Sequence, residues 1–183
     1  MRIKQKYEKI LDECIETIYN CSMDTSNNKA LVDDNSKIIN FDMVTKKYST
    51  QNLIKNNYPQ SIDSLYINEN IDAIFFIEFK NKHKIEKVGI KNKIYSSVYI
   101  LMDIFNLTTD FVRDNIQFIL VYKQKEYKQD EAYKQIVLET QNYAQETGIR
   151  FNMNEYKSIF KNVYTYTSDE FKHNFIDKYC ATI

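Results

Sequence analysis

Glycine and proline are almost missing from this chain: its 183 residues contain two of the first and one of the second, and no tryptophan. With so little glycine, no phosphate-cradling loop of the GxGxxG or GxxxxGK[ST] type can be written anywhere. A dinucleotide or P-loop nucleotide site thereby loses its usual sequence support. Histidine is scarce too. His83 and His173 have neither HxxxH nor HExxH spacing, so no zinc site of that kind is indicated. The three cysteines, Cys14, Cys21 and Cys180, form no CxxC pair, which suits free thiols better than a disulfide frame. No GxSxG elbow, Cys–His constellation or deaminase HxE…CxxC pattern occurs. Charge of one sign is lacking as well: 25 basic residues balance 25 acidic ones. The chain as a whole therefore gives no argument for a nucleic-acid coat or membrane-surface protein, and any polyanion site must be local. The N-terminal MRIKQKYEKILDECIET interrupts its apolar positions with charge, and no apolar run approaches membrane-spanning length. A soluble, cytoplasmic protein without a membrane partner is expected.

Apolar residues are plentiful: 43% hydrophobic, with fifteen Tyr and eleven Phe, enough for a globular core. The length suits one domain over residues 1–183. Tyr could offer stacking surfaces to bases, but without RNP-like order it reads as core and sheet surface.

Periodicity sets the expected elements. Ile3, Tyr7, Ile10, Leu11, Cys14, Ile15 and Ile18 recur at helical spacing, predicting an amphipathic helix over Ile3–Tyr19. KIINFDMV reads as a short strand, and Lys46 to Asn57 is mixed in character. Ile62–Ile67 and Ile71–Lys80 read as a hairpin around the turn-forming Asn68–Asn70. Ile90, Ile94, Ser97, Val98, Leu101 and Phe105 mark the buried side of a helix, in which Ser96 and Ser97 allow close packing on a sheet. A buried strand (Ile116–Lys123), a helix (Asp130–Thr147, stopped by Gly148), a strand (Asn162–Thr167) and a helix capped by Ser168 complete the chain. Such alternation predicts an α/β domain with a central mixed sheet flanked by helices.

The most informative stretch is Asn70–Asn81, NIDAIFFIEFKN. Ala73, Phe75, Ile77 and Phe79 share one face, and Ile74, Phe76, Glu78 and Lys80 the other. A strand apolar on both faces is central, and its charges belong at its end, where water reaches them. With a two- or four-residue hairpin loop, Asp63 falls on the face of Glu78, within the roughly 7–8 Å of a cross-strand diagonal; a three-residue loop turns it away.

Asp63 at the start of one strand, Glu78-Phe79-Lys80 at the end of the next, and the element order from Arg2 to about Lys123 resemble the PD-(D/E)XK nuclease superfamily. That family has an αβββαβ, restriction-endonuclease-like core. Ile62 precedes Asp63, so the Pro of the family's PD pair is absent. The resemblance implies a metal-dependent phosphodiesterase acting on DNA or RNA: Asp63 and Glu78 would hold Mg²⁺ or Mn²⁺, and Lys80 would orient or activate the attacking water. Many members add an acid from the first helix, and Glu8, near the border of its apolar stripe, is the candidate here. The residue types suit the chemistry independently, since phosphodiester hydrolysis needs charge neutralised at the non-bridging oxygens and a nucleophile available near neutral pH.

From Lys80 to Lys93 six lysines and His83 face one acid, Glu86, a local charge of about +5. Lys82, Lys87, Lys91 and Lys93 are therefore candidate nucleic-acid contacts; Lys91 and Lys93 read also, taken singly, as a solvated helix entry. Two further readings stay open: a catalytically inactive binding module with a protein partner, as in immunity, antitoxin or phage-defence systems, and an unrelated α/β protein in which Glu78 and Lys80 form a strand-end ion pair.

Overall fold

The computed structural model describes residues 4, 7, 9–54, 57–68, 73–81, 85–124 and 149–180. After a 3₁₀ turn at Asp12–Cys14, the chain runs β1 (Ile15–Thr17), α1 (Ile18–Cys21), β2 (Met23–Asp24), β3 (Lys29–Ala30), β4 (Lys37–Asn40) and α2 (Phe41–Gln51). It continues with β5 (Ser64–Asn68), β6 (Ala73–Lys80), α3 (Lys87–Phe105), α4 (Thr109–Asn115) and β7 (Ile116–Tyr122). A 3₁₀ helix (Met153–Ser158), β8 (Asn162–Thr167) and α5 (Ser168–Phe171) follow, and α5 continues as a π-helix over Lys172–Cys180. The expected helix Asp130–Thr147 lies outside the described residues.

A mixed six-stranded sheet in the order β1-β4-β5-β6-β7-β8 organises these elements, with β2 and β3 pairing separately. β5 and β6 are antiparallel, whereas β6, β7 and β8 are mutually parallel. The interior place of β6 follows from its composition. Every residue from Ala73 to Phe79 is buried, and only the terminal Lys80 reaches water. Ile74 and Phe76 face a core shared with α2, α3 and the late 3₁₀ helix. Phe76 meets Phe41 edge-on at 5.3 Å and Phe160 at 6.0 Å. Phe75, Ile77 and Phe79 face the opposite layer, where Phe75 meets Phe175 edge-on at 5.2 Å. Aromatic pairs of this geometry add about 0.5–1.5 kcal/mol each beyond area burial.

Three expectations are corrected. The helix over Ile3–Tyr19 does not form as expected in the described part: Ile15, Glu16 and Thr17 pair with Ile39, Ile38 and Lys37, and Thr17 then caps the single turn of α1. Cross-strand pairing outweighs a helical period in a β-branched segment. KIINFDMV is a strand only to Asn40. The Asn40 side chain accepts the Met43 N–H at 3.0 Å, so Phe41 begins α2, which absorbs Lys46 to Gln51. The last helix is capped by Thr167 in a capping box with Glu170, one residue before Ser168.

α3 runs longer than its apolar stripe, starting at Lys87. It ends where Asn106 takes the left-handed conformation (φ 55°, ψ 48°) and donates to the Met102 carbonyl. Among the described residues no helix is long and apolar enough to cross a membrane.

Candidate functional site

The β5–β6 register brings the sequence candidates together. Asn68 pairs with Ala73, and the last pair is Ser64 with Ile77. One step further along the same ladder stand Asp63 and Glu78. Four contacts hold Asp63 there. Its carbonyl accepts the Phe41 N–H at 3.0 Å. Its Oδ2 accepts the Phe79 N–H at 2.6 Å. Its Oδ1 takes the Lys93 ammonium at 2.9 Å. The preceding Ile62 donates its N–H to Ser97 Oγ at 2.9 Å. Ser96 Oγ donates to the Gln60 carbonyl as well, so both serines of α3 moor the approach to Asp63.

Glu78 is fully buried on the α3 side of the sheet. Lys80 Nζ, one pleat along the same strand, lies 2.5 Å from its Oε1. Lys93 Nζ lies 2.8 Å from Oε1 and 3.1 Å from Oε2, and so bridges the two carboxylates. Although both ammonium groups are within ion-pair range of Oε1, neither meets it with hydrogen-bond geometry. Two carboxylates and two ammoniums thus share the C-terminal edge of β6. Buried ion clusters of this sort stabilise little, because desolvation offsets the attraction, and they gather at functional sites.

The electrostatics follow from burial and crowding. Burial first, then the neighbouring Glu78 charge, push the Asp63 carboxyl up to about 7, against the opposing pull of Lys93. Burial alone would lower the Lys93 ammonium, but Asp63 and Glu78 outweigh it and the net direction is up, so this lysine stays charged.

The group opens onto a cleft of about 730 Å³ between the α1–β2 segment, the start of α2, the end of β6 and the start of α3. A third carboxylate, Asp42, lines this cleft from the first turn of α2. Burial raises its carboxyl above the ordinary range, against the hydrogen bond donated by Ser61 Oγ, while the nearby Asp63 raises it further. Sequence reading missed Asp42 by extending a strand through it. The pattern Asn40-Phe41-Asp42, an N-cap followed by a first-turn acid, is the signal that marks it. Cys21 also lines the cleft. Burial pushes its thiol up to about 11, which leaves it protonated and unreactive near neutral pH.

Of the other sequence candidates, Lys91 is exposed on α3 with its ammonium 5.9 Å from the Tyr95 ring centroid, and Lys87 is half-buried at the helix start. Lys93 points instead into the carboxylate pair. Glu8 and Lys82 lie outside the described residues.

Paired carboxylates on neighbouring strands are the oxygen donors suited to a hard divalent cation, which takes one or two of them and fills its shell with water. Among the described residues no three His, Cys, Asp or Glu side chains gather to hold a metal ion. Asp63 and Glu78 are the two oxygen donors this strand end could offer a cation, and the Lys93 ammonium lies between them. Comparison of the chain with protein-family models, with curated proteins and with solved structures returned no match.

Proposed function

We propose that this protein is a metal-dependent nuclease that hydrolyses phosphodiester bonds of DNA or RNA, with Asp63, Glu78 and Lys80 as its reactive group. The observation that carries the reading is the alignment of Asp63 with Glu78 at the end of β6, beside two ammonium groups and a cleft large enough for a nucleotide unit. The antiparallel β5–β6 pair followed by α3 and the parallel β7 supports the finer reading of a restriction-endonuclease-like core, from which α2, inserted between β4 and β5, departs.

Asp63 and Glu78 would hold Mg²⁺ or Mn²⁺, with Asp42 close by. Such an ion neutralises phosphate charge and makes a water nucleophile available near neutral pH. Lys80, partly exposed at the strand end, is placed to orient that water or to stabilise charge on the phosphate. Lys87 and Lys91, on the first turns of α3, offer positive charge to the backbone of a nucleic acid whose scissile phosphate occupies the cleft. A cytoplasmic setting goes with this reading, and all three cysteines are free thiols.

A second reading, a catalytically inactive module that binds a protein partner, draws on one specific observation. Lys80 and Lys93 already neutralise both carboxylates. Calorimetric titration with Mg²⁺ and Mn²⁺, together with cleavage of labelled single-stranded and duplex DNA and RNA, separates the two. The nuclease reading expects one bound metal and cleavage in the parent, both lost in Glu78→Gln. It expects retained metal binding, with turnover lower by a factor on the order of 10² or more, in Lys80→Ala. A parent that cuts none of these substrates leaves the binding-module reading as the better account.

A further inference from the structure

The carboxylate pair is not an open cation site. Formally, the charges of Asp63 and Glu78 are balanced by those of Lys80 and Lys93, which leaves Asp42 as the nearby acid that neither lysine pairs. The two lysines are not equivalent. Lys80 lies on the same strand as Glu78, and its only ion pair among the described residues is with that residue. Lys93 comes from α3 and contacts oxygens of both carboxylates, the place a bridging cation takes. Direct ligation of Mg²⁺ requires oxygens at about 2.0–2.1 Å, and an ammonium cannot remain bridged between the same oxygens without strong like-charge repulsion.

The chain provides room for that ammonium to go. The Lys93 side chain is 21% exposed, so it is not sealed inside the core. Helical side chains lean toward the N-terminus and over the residue four positions earlier, which here is Gly89. Gly89 lines the cleft, and a Cβ built on it would meet nothing within 4 Å. The surface one turn before Lys93, at Gly89, is thus open to the cleft.

We propose that Lys93 is a tethered counter-cation of the Asp63–Glu78 pair, displaced when a divalent metal binds, and that its freed ammonium lies over Gly89 in the cleft, where it meets a substrate phosphate. The site then exchanges an internal cation for an external one and gains a phosphate contact in the same step. No covalent change is involved. The inference rests on the metal-binding half of the function proposed above and not on cleavage.

Mn²⁺ and Mg²⁺ affinities measured by calorimetry test it. Lys93→Gln removes the competitor, so affinity rises by roughly tenfold or more, while Lys80→Gln, which touches one carboxylate only, gains less. Equal or weaker metal affinity in Lys93→Gln overturns the proposal. Should Lys93→Gln not fold, the parent protein decides. In lysine-labelled protein, the Lys93 Cε resonance, assigned by its loss in Lys93→Arg, moves to the position of solvated lysines as Mg²⁺ saturates. A resonance that stays in place while metal binds overturns the proposal. Tighter metal binding in Lys93→Gln with no cleavage of any nucleic acid by the parent upholds the displacement and removes the nuclease together with the phosphate contact. Cleavage by the parent with no gain in Lys93→Gln does the reverse, and absence of divalent binding in parent and variants alike overturns both.

Discussion

The side chain of Asp63 takes over from the β-ladder where the backbone of β5 leaves it, accepting the N–H of Phe79 at 2.6 Å. Beyond the Ser64–Ile77 pair, the strand edge would present an unpaired donor next to Glu78. The carboxylate satisfies that donor and is in turn aimed at the same level of the sheet as Glu78. A hydrogen bond of secondary-structure type thereby sets the geometry of a candidate active site.

Ser97→Ala should loosen that geometry from behind. It removes the acceptor of the Ile62 N–H in a fully buried position, leaving an unsatisfied donor that costs about 1–3 kcal/mol. Thermal unfolding is expected to shift down by roughly 3–10 °C, and an unchanged midpoint would count against the mooring role of α3.

Asp42 and Asp63 should differ in their hold on metal. Asp63 shares an ammonium with Glu78, whereas Asp42 borders the pair from α2 and is hydrogen-bonded to Ser61. Calorimetric Mn²⁺ affinity is expected to be lost in Asp63→Ala and only weakened, by roughly tenfold, in Asp42→Asn. The opposite ranking would make Asp42 the primary ligand.

Acid should weaken the junction of β8 and α5. Arg150 holds Glu170 in a two-pronged ion pair at 2.6 and 2.7 Å, and the Thr167 N–H donates to the same carboxylate at 2.7 Å. Burial would raise the Glu170 carboxyl, but these contacts outweigh it and the net direction is down. A carboxyl lowered in the folded state adds stability above its unfolded value of about 4.3 and loses it as pH falls through the folded value. Urea midpoints should show Glu170→Gln less stable than the parent at pH 7, with the gap closing as pH drops from about 5 toward 3. A gap independent of pH would refute the assignment.

Gly89→Ala should stabilise the protein. Gly89 is helical, in the first turn of α3, and an added methyl meets nothing within 4 Å. Reduced freedom of the unfolded chain then contributes about 0.4–1 kcal/mol, visible as a higher urea midpoint with an unchanged slope. Loss of stability would mean that the cleft wall is tighter than the static geometry implies.

Local rules determined a good part of this protein without reference to its fold. The two-faced apolarity of Ala73–Phe79 forces β6 into the sheet interior, since either face left in water would expose several large side chains. Of the two charges expected to reach water at its end, Lys80 does, whereas Glu78 is fully buried because α3 and its Lys93 cover that edge. The stripe from Ile90 to Phe105 makes a helix for the same reason of burial. Tertiary structure decided what periodicity does not encode. Ile15–Thr17 is a strand because β4 offers it a partner, although its apolar spacing also suits a helix. Whether Asp63 faces Glu78 depends on the parity of a hairpin loop, and pairing of Asn68 with Ala73 settles it. Lys93 reads in sequence as one more lysine in a basic run. Only the crossing of α3 over the end of β6 carries it to the carboxylates, because attraction between charges depends on distance in space and burial, and a one-dimensional pattern contains neither.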